Sequence, residues 1–295
     1  MAYSASIASA VAPRRMEAAL ALDFRRDDAG RTHLAASTQQ PPLRVVRAFE
    51  REDGSALAHL HNVSGGILGG DCLHLRATVG PAAEAQITTT GATRVYRPRA
   101  GAAAAEQHND VRVGEDALLE YVPDAIIPYA GVRFTQTSEI HLAQGAGLFW
   151  WEILAPGREA RGEIFEYECV RMSTSAFAVG RPIAAERICL QPKRCALGSL
   201  ARLGEFRYWV TFYVCRVGVE TARWLALEGE LRESARFFAP ESDALWAIST
   251  LPAHGLAIRA LARRSHEIMP VLQSLWRTAK LSLYGREPIL PRKVN

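Results

Sequence analysis

The sequence predicts a mainly β fold of the sandwich, barrel or solenoid kind, with about two helices packed on it, mostly from the C-terminal third. Three observations carry this reading. Between residues 43 and 188, short β-forming runs are broken by Gly, Pro, Asp and Asn at short intervals. The chain has 295 residues, 48% of them hydrophobic, enough for a substantial core. Helical periodicity appears only after residue 219, in two segments.

Taken in order, residues 1–20 read as a disordered tail. The stretch from Met1 to Arg15 is rich in Ala and Ser and carries no acid. Its Arg pair follows the weakly apolar part rather than preceding it, unlike a targeting peptide. Residues 21–295 read as a single domain, because no linker divides them. Strands are expected at residues 43–49, 72–79, 84–90, 110–113, 117–122, 135–142, 147–154, 165–172 and 207–217. No repeat of fixed period is visible, which argues against a regular repeat protein.

Residues 220–238 then take helical spacing through Ala222, Leu225, Leu231 and Ala235. Two strands, 244–251 and 255–261, meet at Pro252-Ala-His-Gly255. Residues 270–284 form an amphipathic helix with Val271, Leu272, Leu275, Trp276, Ala279 and Leu283 on one stripe. Pro270 suits its first position, and Gly285 with Pro288 its stop.

Bulk chemistry narrows the function. No run of eighteen apolar residues exists, so no membrane span is expected. Five scattered cysteines suit reduced thiols and a cytoplasmic setting. Residues 1–180 hold 17 basic and 21 acidic groups, and residues 181–295 hold 18 and 10. The basic half is Arg-rich but dispersed and lacks a nucleic-acid motif, so its expected partner is an acidic protein surface and not nucleic acid. Arg277, Lys280 and Arg286 near the last helical turn are the cations named for that docking.

The densest chemistry begins at Gly65-Gly-Ile-Leu-Gly-Gly-Asp71. Such a stretch needs torsions or close approaches that a Cβ would block. Asp71 suits either a turn closure or a metal-passage carboxylate. Alternation in the next strand puts Gln86, Thr88 and Thr90 on one face and Ala85, Ile87 and Thr89 on the other. His59-x-His61 and Cys72-x-His74 flank the loop, each pair facing one side of a strand. In Leu148-Phe-Trp-Trp151, alternation leaves open whether one face is exposed as an interface or both are buried. The glycines lack the Lys-Ser/Thr of a phosphate loop. No Ser lies in a nucleophile elbow. Two chemical readings stay open: a carbohydrate hydrolase or lyase using Glu120 and Glu163, and a metal module built on His59, His61, Cys72 and His74.

Four segments occur in register: residues 65–71, Thr88-Thr-Thr-Gly-Ala-Thr-Arg-Val-Tyr-Arg97, Leu119-Glu-Tyr-Val-Pro123, and Gly157-Arg-x-x-Arg161-Gly162-Glu163-x-Phe165. Together, across residues 55–170, they resemble the urease accessory protein UreD family, also called UreH. Two departures are visible. Gly91 stands where the family commonly has Gln or Ala, and the chain runs Pro291-Arg-Lys-Val294 where many members carry a Pro-Arg-Ile-Trp-like end. The resemblance implies an irregular layered β-structure without enzymatic activity. It implies a chaperone that, with UreF and the GTPase UreG, helps load nickel into apo-urease subunits. It further implies no tightly bound cofactor, nickel only in transit, and an internal tunnel. Asp71, Thr88, Thr90, Thr93, Glu120, Glu163 and His61 are then the candidate lining.

Overall fold

A computed structural model describes residues 16–238 and 243–291. The chain opens with a hairpin of β1 (Glu17–Arg26) and β2 (Thr32–Gln39), then two short strands, β3 (Leu43–Arg44) and β4 (Ala48–Glu50). From there it alternates between two sheets. β5 (Ala56–Asn62) enters the second sheet, β6 (Cys72–Val79) the first, β7 (Glu84–Thr89) the second; β8 (Thr93–Val95) follows at a turn. β9 (Ala105–Val113) returns to the first sheet and β10 (Leu118–Tyr121) to the second, followed by the short β11 (Ile126–Pro128). β12 (Arg133–Leu142), β13 (Gly147–Leu154) and β14 (Cys169–Ala178) continue the alternation, and β15 (Arg181–Leu190) closes the first sheet. β16 (Tyr208–Arg216), helix α1 (Thr221–Phe238), β17 (Leu245–Thr250), β18 (Gly255–Ala262) and helix α2 (Ile268–Tyr284) complete the fold.

The first sheet runs β15-β14-β12-β9-β6-β1-β2 and the second β17-β18-β16-β13-β10-β7-β5-β3. Their centres are parallel, as a coiling chain requires. Successive coils have unequal lengths: Cys72 pairs with Glu106, Ala105 with Phe134, and Arg133 with Cys169. That inequality is why the coiling leaves no period in the sequence.

The layers explain the residue patterns. One core lies between the sheets, through Leu75, Ala77, Ile87, Leu119 and Trp150. Another lies between the second sheet and the helices, through Phe149, Trp151, Phe212, Leu275 and Trp276. The second sheet is thus covered on both faces, so β13 reads as a nearly unbroken apolar run. The first sheet is covered on one face, and β6 and β12 alternate accordingly. The aromatic run from Leu148 to Trp151 is therefore buried on both sides and offers no interface.

Several expectations need correction. β1 starts at Glu17, inside the span read as a tail, because Ala18, Leu20, Leu22 and Phe24 alternate into the core; residues 1–15 lie outside the described residues. The strand expected at 165–172 begins instead at Cys169, after Phe165 takes a left-handed φ of 56°. α1 buries Trp224, Leu227 and Leu231 and packs Ala235 against the same core, while Ala222 and Leu225 are exposed, so the expected stripe holds at Leu231 and Ala235 and fails in the first turns. α2 buries all six expected residues but starts at Ile268, with Pro270 within its first turn. It also buries Lys280, which pairs with Glu120, while Arg277 pairs with Glu287 and Arg286 with Glu84. Of the three cations named for docking, Lys280 is therefore out of a partner's reach, whereas Arg277 and Arg286 keep exposed surface beside their ion pairs. No helix among the described residues is long and apolar enough to cross a membrane.

Candidate functional site

The glycine loop lies against β8. Ile67 donates to the Arg94 carbonyl at 2.8 Å, and Tyr96 donates back to the Ile67 carbonyl at 2.8 Å. A Cβ on Gly66 would fall 2.5 Å from the Arg94 oxygen, so only glycine allows this approach. Gly70, at φ 90°, turns the chain into β6. Asp71 closes that turn: its Oδ2 accepts the Leu68 N–H at 2.8 Å. Burial raises its pKa above the usual carboxylate range, against the lowering effect of that one bond. Asp71→Ala is expected to lose about 1 kcal/mol of stability, read as a lower thermal midpoint. An unchanged midpoint with impaired urease activation would mark Asp71 as a passage residue instead.

Three cavities adjoin at the ends of β5 and β7, and the two inner ones lie between the sheets. The outermost is a groove of about 690 Å³ on the face of the second sheet turned away from the first, bordered by Leu57, His59, His61, Thr90, Ile289 and Leu290, since Ala56, Ala58 and Leu60 are the β5 residues that face the first sheet. The next, about 310 Å³, shares His61 and Thr90 and adds Thr89, Thr93, Gln107 and Tyr121. The innermost, about 20 Å³, shares Thr93, Gln107 and Tyr121 and ends at Gln136 and Glu152. Burial and the neighbouring His59 push the His61 pKa below its ordinary value, which keeps the ring neutral and able to offer a lone pair.

Glu152 is the deepest group. It projects from β13 toward the first sheet, where its Oε1 accepts from Gln136 Nε2 at 2.5 Å and Ser138 Oγ at 3.5 Å, and its Oε2 from Thr174 Oγ1 at 3.0 Å. Burial, joined by the charge of Glu186, pushes its pKa up to about 7. A buried carboxyl with a raised pKa at the end of a polar cavity marks Glu152 as a candidate functional group.

The whole chain from residue 16 to 295 matches the family model described as UreD urease accessory protein. The chain belongs to the UreD family. A UreD from Herpetosiphon aurantiacus is 44% identical over 280 residues, spanning 95% of this chain and 97% of that protein. A UreD from Staphylococcus aureus strain bovine RF122 / ET3-1 is 26% identical over 252 residues, 85% of this chain and 88% of that protein. Membership supports a role in urease maturation, as an accessory protein and not as a catalytic enzyme.

Within this UreD frame the candidate residues separate. His61, Thr90 and Thr93 border the cavities. Thr88 and Glu120 belong to the other face of the second sheet, because alternation turns Thr89 and Tyr121 toward the two cavities between the sheets. Thr88 donates to the Val122 carbonyl at 2.7 Å. Glu120 accepts from Lys280 at 2.9 Å, Trp276 Nε1 at 3.0 Å and Gln86 Nε2 at 3.0 Å. Glu163 accepts from Arg158 Nε at 2.8 Å and lies 3.6 Å from Arg97. The Arg158 hydrogen bond holds the Glu163 carboxyl below its usual range.

Glu120 and Glu163 thus share no cavity among those described, and Glu163 is shifted in the direction opposite to a general acid. The hydrolase reading falls with them. The four-residue metal module also divides, since His59 and His61 sit on β5 of one sheet and Cys72 and His74 on β6 of the other. Sequence reading missed Gln107, Gln136 and above all Glu152. The signal was present: Glu152 is the one acid in the apolar run Gly147–Leu154, and a charge there demands partners.

Proposed function

We propose that this chain is a urease-maturation chaperone that works with UreF and the GTPase UreG to deliver nickel into apo-urease. Nickel is its cargo, and the two cavities between the sheets, reached from the outer groove past His61 and Thr90, are the route. The observation that carries this reading is the convergence of those cavities on buried Glu152. Hydroxyl, amide and carboxylate oxygens, with imidazoles only at the outer end, hold Ni²⁺ more loosely than a thiolate cage, which suits release. The inner cavity of about 20 Å³ has room for about one water. An ion arriving there exchanges part of its hydration shell for the oxygens of Thr93, Gln107, Gln136 and Glu152. A carboxyl titrating near 7 can ionise as the dication approaches and regain its proton as it leaves. Five thiols without a disulfide fit the cytoplasm as the place of work.

Thr93 borders both inner cavities and is the place to test the route. Thr93→Leu is expected to cut urease activation several-fold at limiting nickel while leaving the partner complex intact, and Thr93→Ser to activate normally. Full activation by a folded, partner-bound Thr93→Leu protein would rule the route out.

A further inference from the structure

The outer face of the first sheet carries a second set of metal-binding atoms, turned away from the cavities. Parallel pairing places Cys72 opposite Glu106 and His74 opposite His108. Alternation sends all four outward, because Leu73 and Leu75 pack inward and Gln107 borders the middle cavity. One ligand atom each from Cys72, Glu106 and His108 lies within 4.8 Å of the others. Cys72 Sγ is 3.9 Å from Glu106 Oε2, which is 3.6 Å from His108 Nε2. His74 adjoins the group: its Nε2 is 3.3 Å from the sulfur, and its ring stacks on His108 with centroids 5.0 Å apart.

Bonds of about 2.0–2.3 Å in a tetrahedral shell place the ligand atoms about 3.3–3.8 Å apart. Two of the separations, 3.3 and 3.6 Å, lie in that range and the third, 3.9 Å, just beyond it, so small side-chain rotations would close the shell. The backbone beneath is held firmly: Cys72 N–H donates to the Met16 carbonyl and Glu106 N–H to the Asp71 carbonyl, each at 2.8 Å. One sulfur, two imidazoles and one carboxylate make a borderline donor set. It disfavours Mg²⁺ and Ca²⁺ and favours Zn²⁺ and its neighbours.

We propose that Cys72, His74, Glu106 and His108 form a zinc-type divalent cation site on the outer face of the first sheet. A thiolate-containing shell retains its ion, so this site is a place of residence and not part of the nickel route. The bound ion ties β6 to β9 directly beside the Asp71 turn. The proposal stands whether or not the passage between the sheets exists, since β6 and β9 themselves separate the two.

Chelator-treated protein would be titrated with Zn²⁺ against a chromophoric competitor, and separately with Co²⁺ as a spectroscopic probe. The expected result is one tight Zn²⁺ equivalent per chain and a thiolate-to-cobalt charge-transfer band. Cys72→Ser is expected to abolish the band. His108→Ala, a change at a half-exposed position that leaves the core untouched, is expected to lose the tight equivalent. His61→Ala should retain both. Absence of a tight equivalent in the unaltered protein, or its persistence in folded His108→Ala, would overturn the proposal.

Discussion

Lys280→Ala is expected to lose about 3–5 kcal/mol of folding stability, the largest single loss for any residue discussed above. The lysine comes from α2, is 1% exposed, and places its Nζ 2.9 Å from Glu120 Oε1. Trp276 donates to the same oxygen and Gln86 to the other, so the carboxylate is fully engaged in a setting with almost no water. Two charges moved out of water each carry a desolvation cost of several kcal/mol, offset only while they face one another. Removing the cation leaves a buried carboxylate with two neutral donors. A matched pair of neutral groups should suffer far less. Lys280→Met with Glu120→Gln is therefore expected to recover most of the stability lost by Lys280→Met alone. Urea unfolding of the two single variants and the double variant would measure this as a coupling of opposite sign to the single losses. Additive losses would show that the pair is not a unit. Because the pair joins α2 to β10, the single variants should also release the helix from the second sheet, visible as faster amide exchange in residues 268–284.

The second large effect concerns Glu152→Gln. The folded carboxyl has its pKa pushed up to about 7 from the ordinary 4.5, first by burial and then by Glu186. Linkage fixes the sign. Below pH 4.5 the group is protonated in both states and contributes nothing. Between 4.5 and about 7 the unfolded chain gives up the proton while the folded one keeps it, so stability falls as pH rises. Above 7 the loss levels off at on the order of 3 kcal/mol. Glutamine keeps the shape and can reorganise with Gln136, Ser138 and Thr174 without charge. Glu152→Gln is therefore expected to be more stable than the parent protein at pH 8, to match it near pH 4.5, and to remove that part of the pH slope. Denaturation midpoints across that range would check it, and parallel pH profiles would refute the assignment. On the proposed route the same change should depress urease activation, a trade of function for stability that is common where a strained group does the work.

Much of the fold could be read from the residues. The strands Cys72–Val79 and Gly147–Leu154 have the boundaries that alternation and the unbroken apolar run indicate. All six expected residues of α2 are buried. The glycine loop was legible because the left-handed torsion at Gly70 is a local demand, although the close approach that requires Gly66 comes from Arg94 on β8. Family motifs in register were equally local, and they lead to the same UreD membership as the whole-chain match.

The site was less legible, and the reason is a matter of faces. Period-two patterning says which residues share a side of a strand, but not what lies beyond that side. Thr88 and Glu120 were correctly read as polar residues in strands, yet their side is the one covered by α2, where Lys280 from a segment 160 residues later meets Glu120. Thr89, Gln107 and Tyr121 look like ordinary strand residues until the coiling of the chain turns them toward one cavity. The sequence by itself determined the β-rich class, the turns, the C-terminal helix and the family. Only the tertiary structure decided which carboxylate is locked in an ion pair and which is poised at Glu152. That choice depends on long-range burial and on partners from other strands, and no local pattern encodes either.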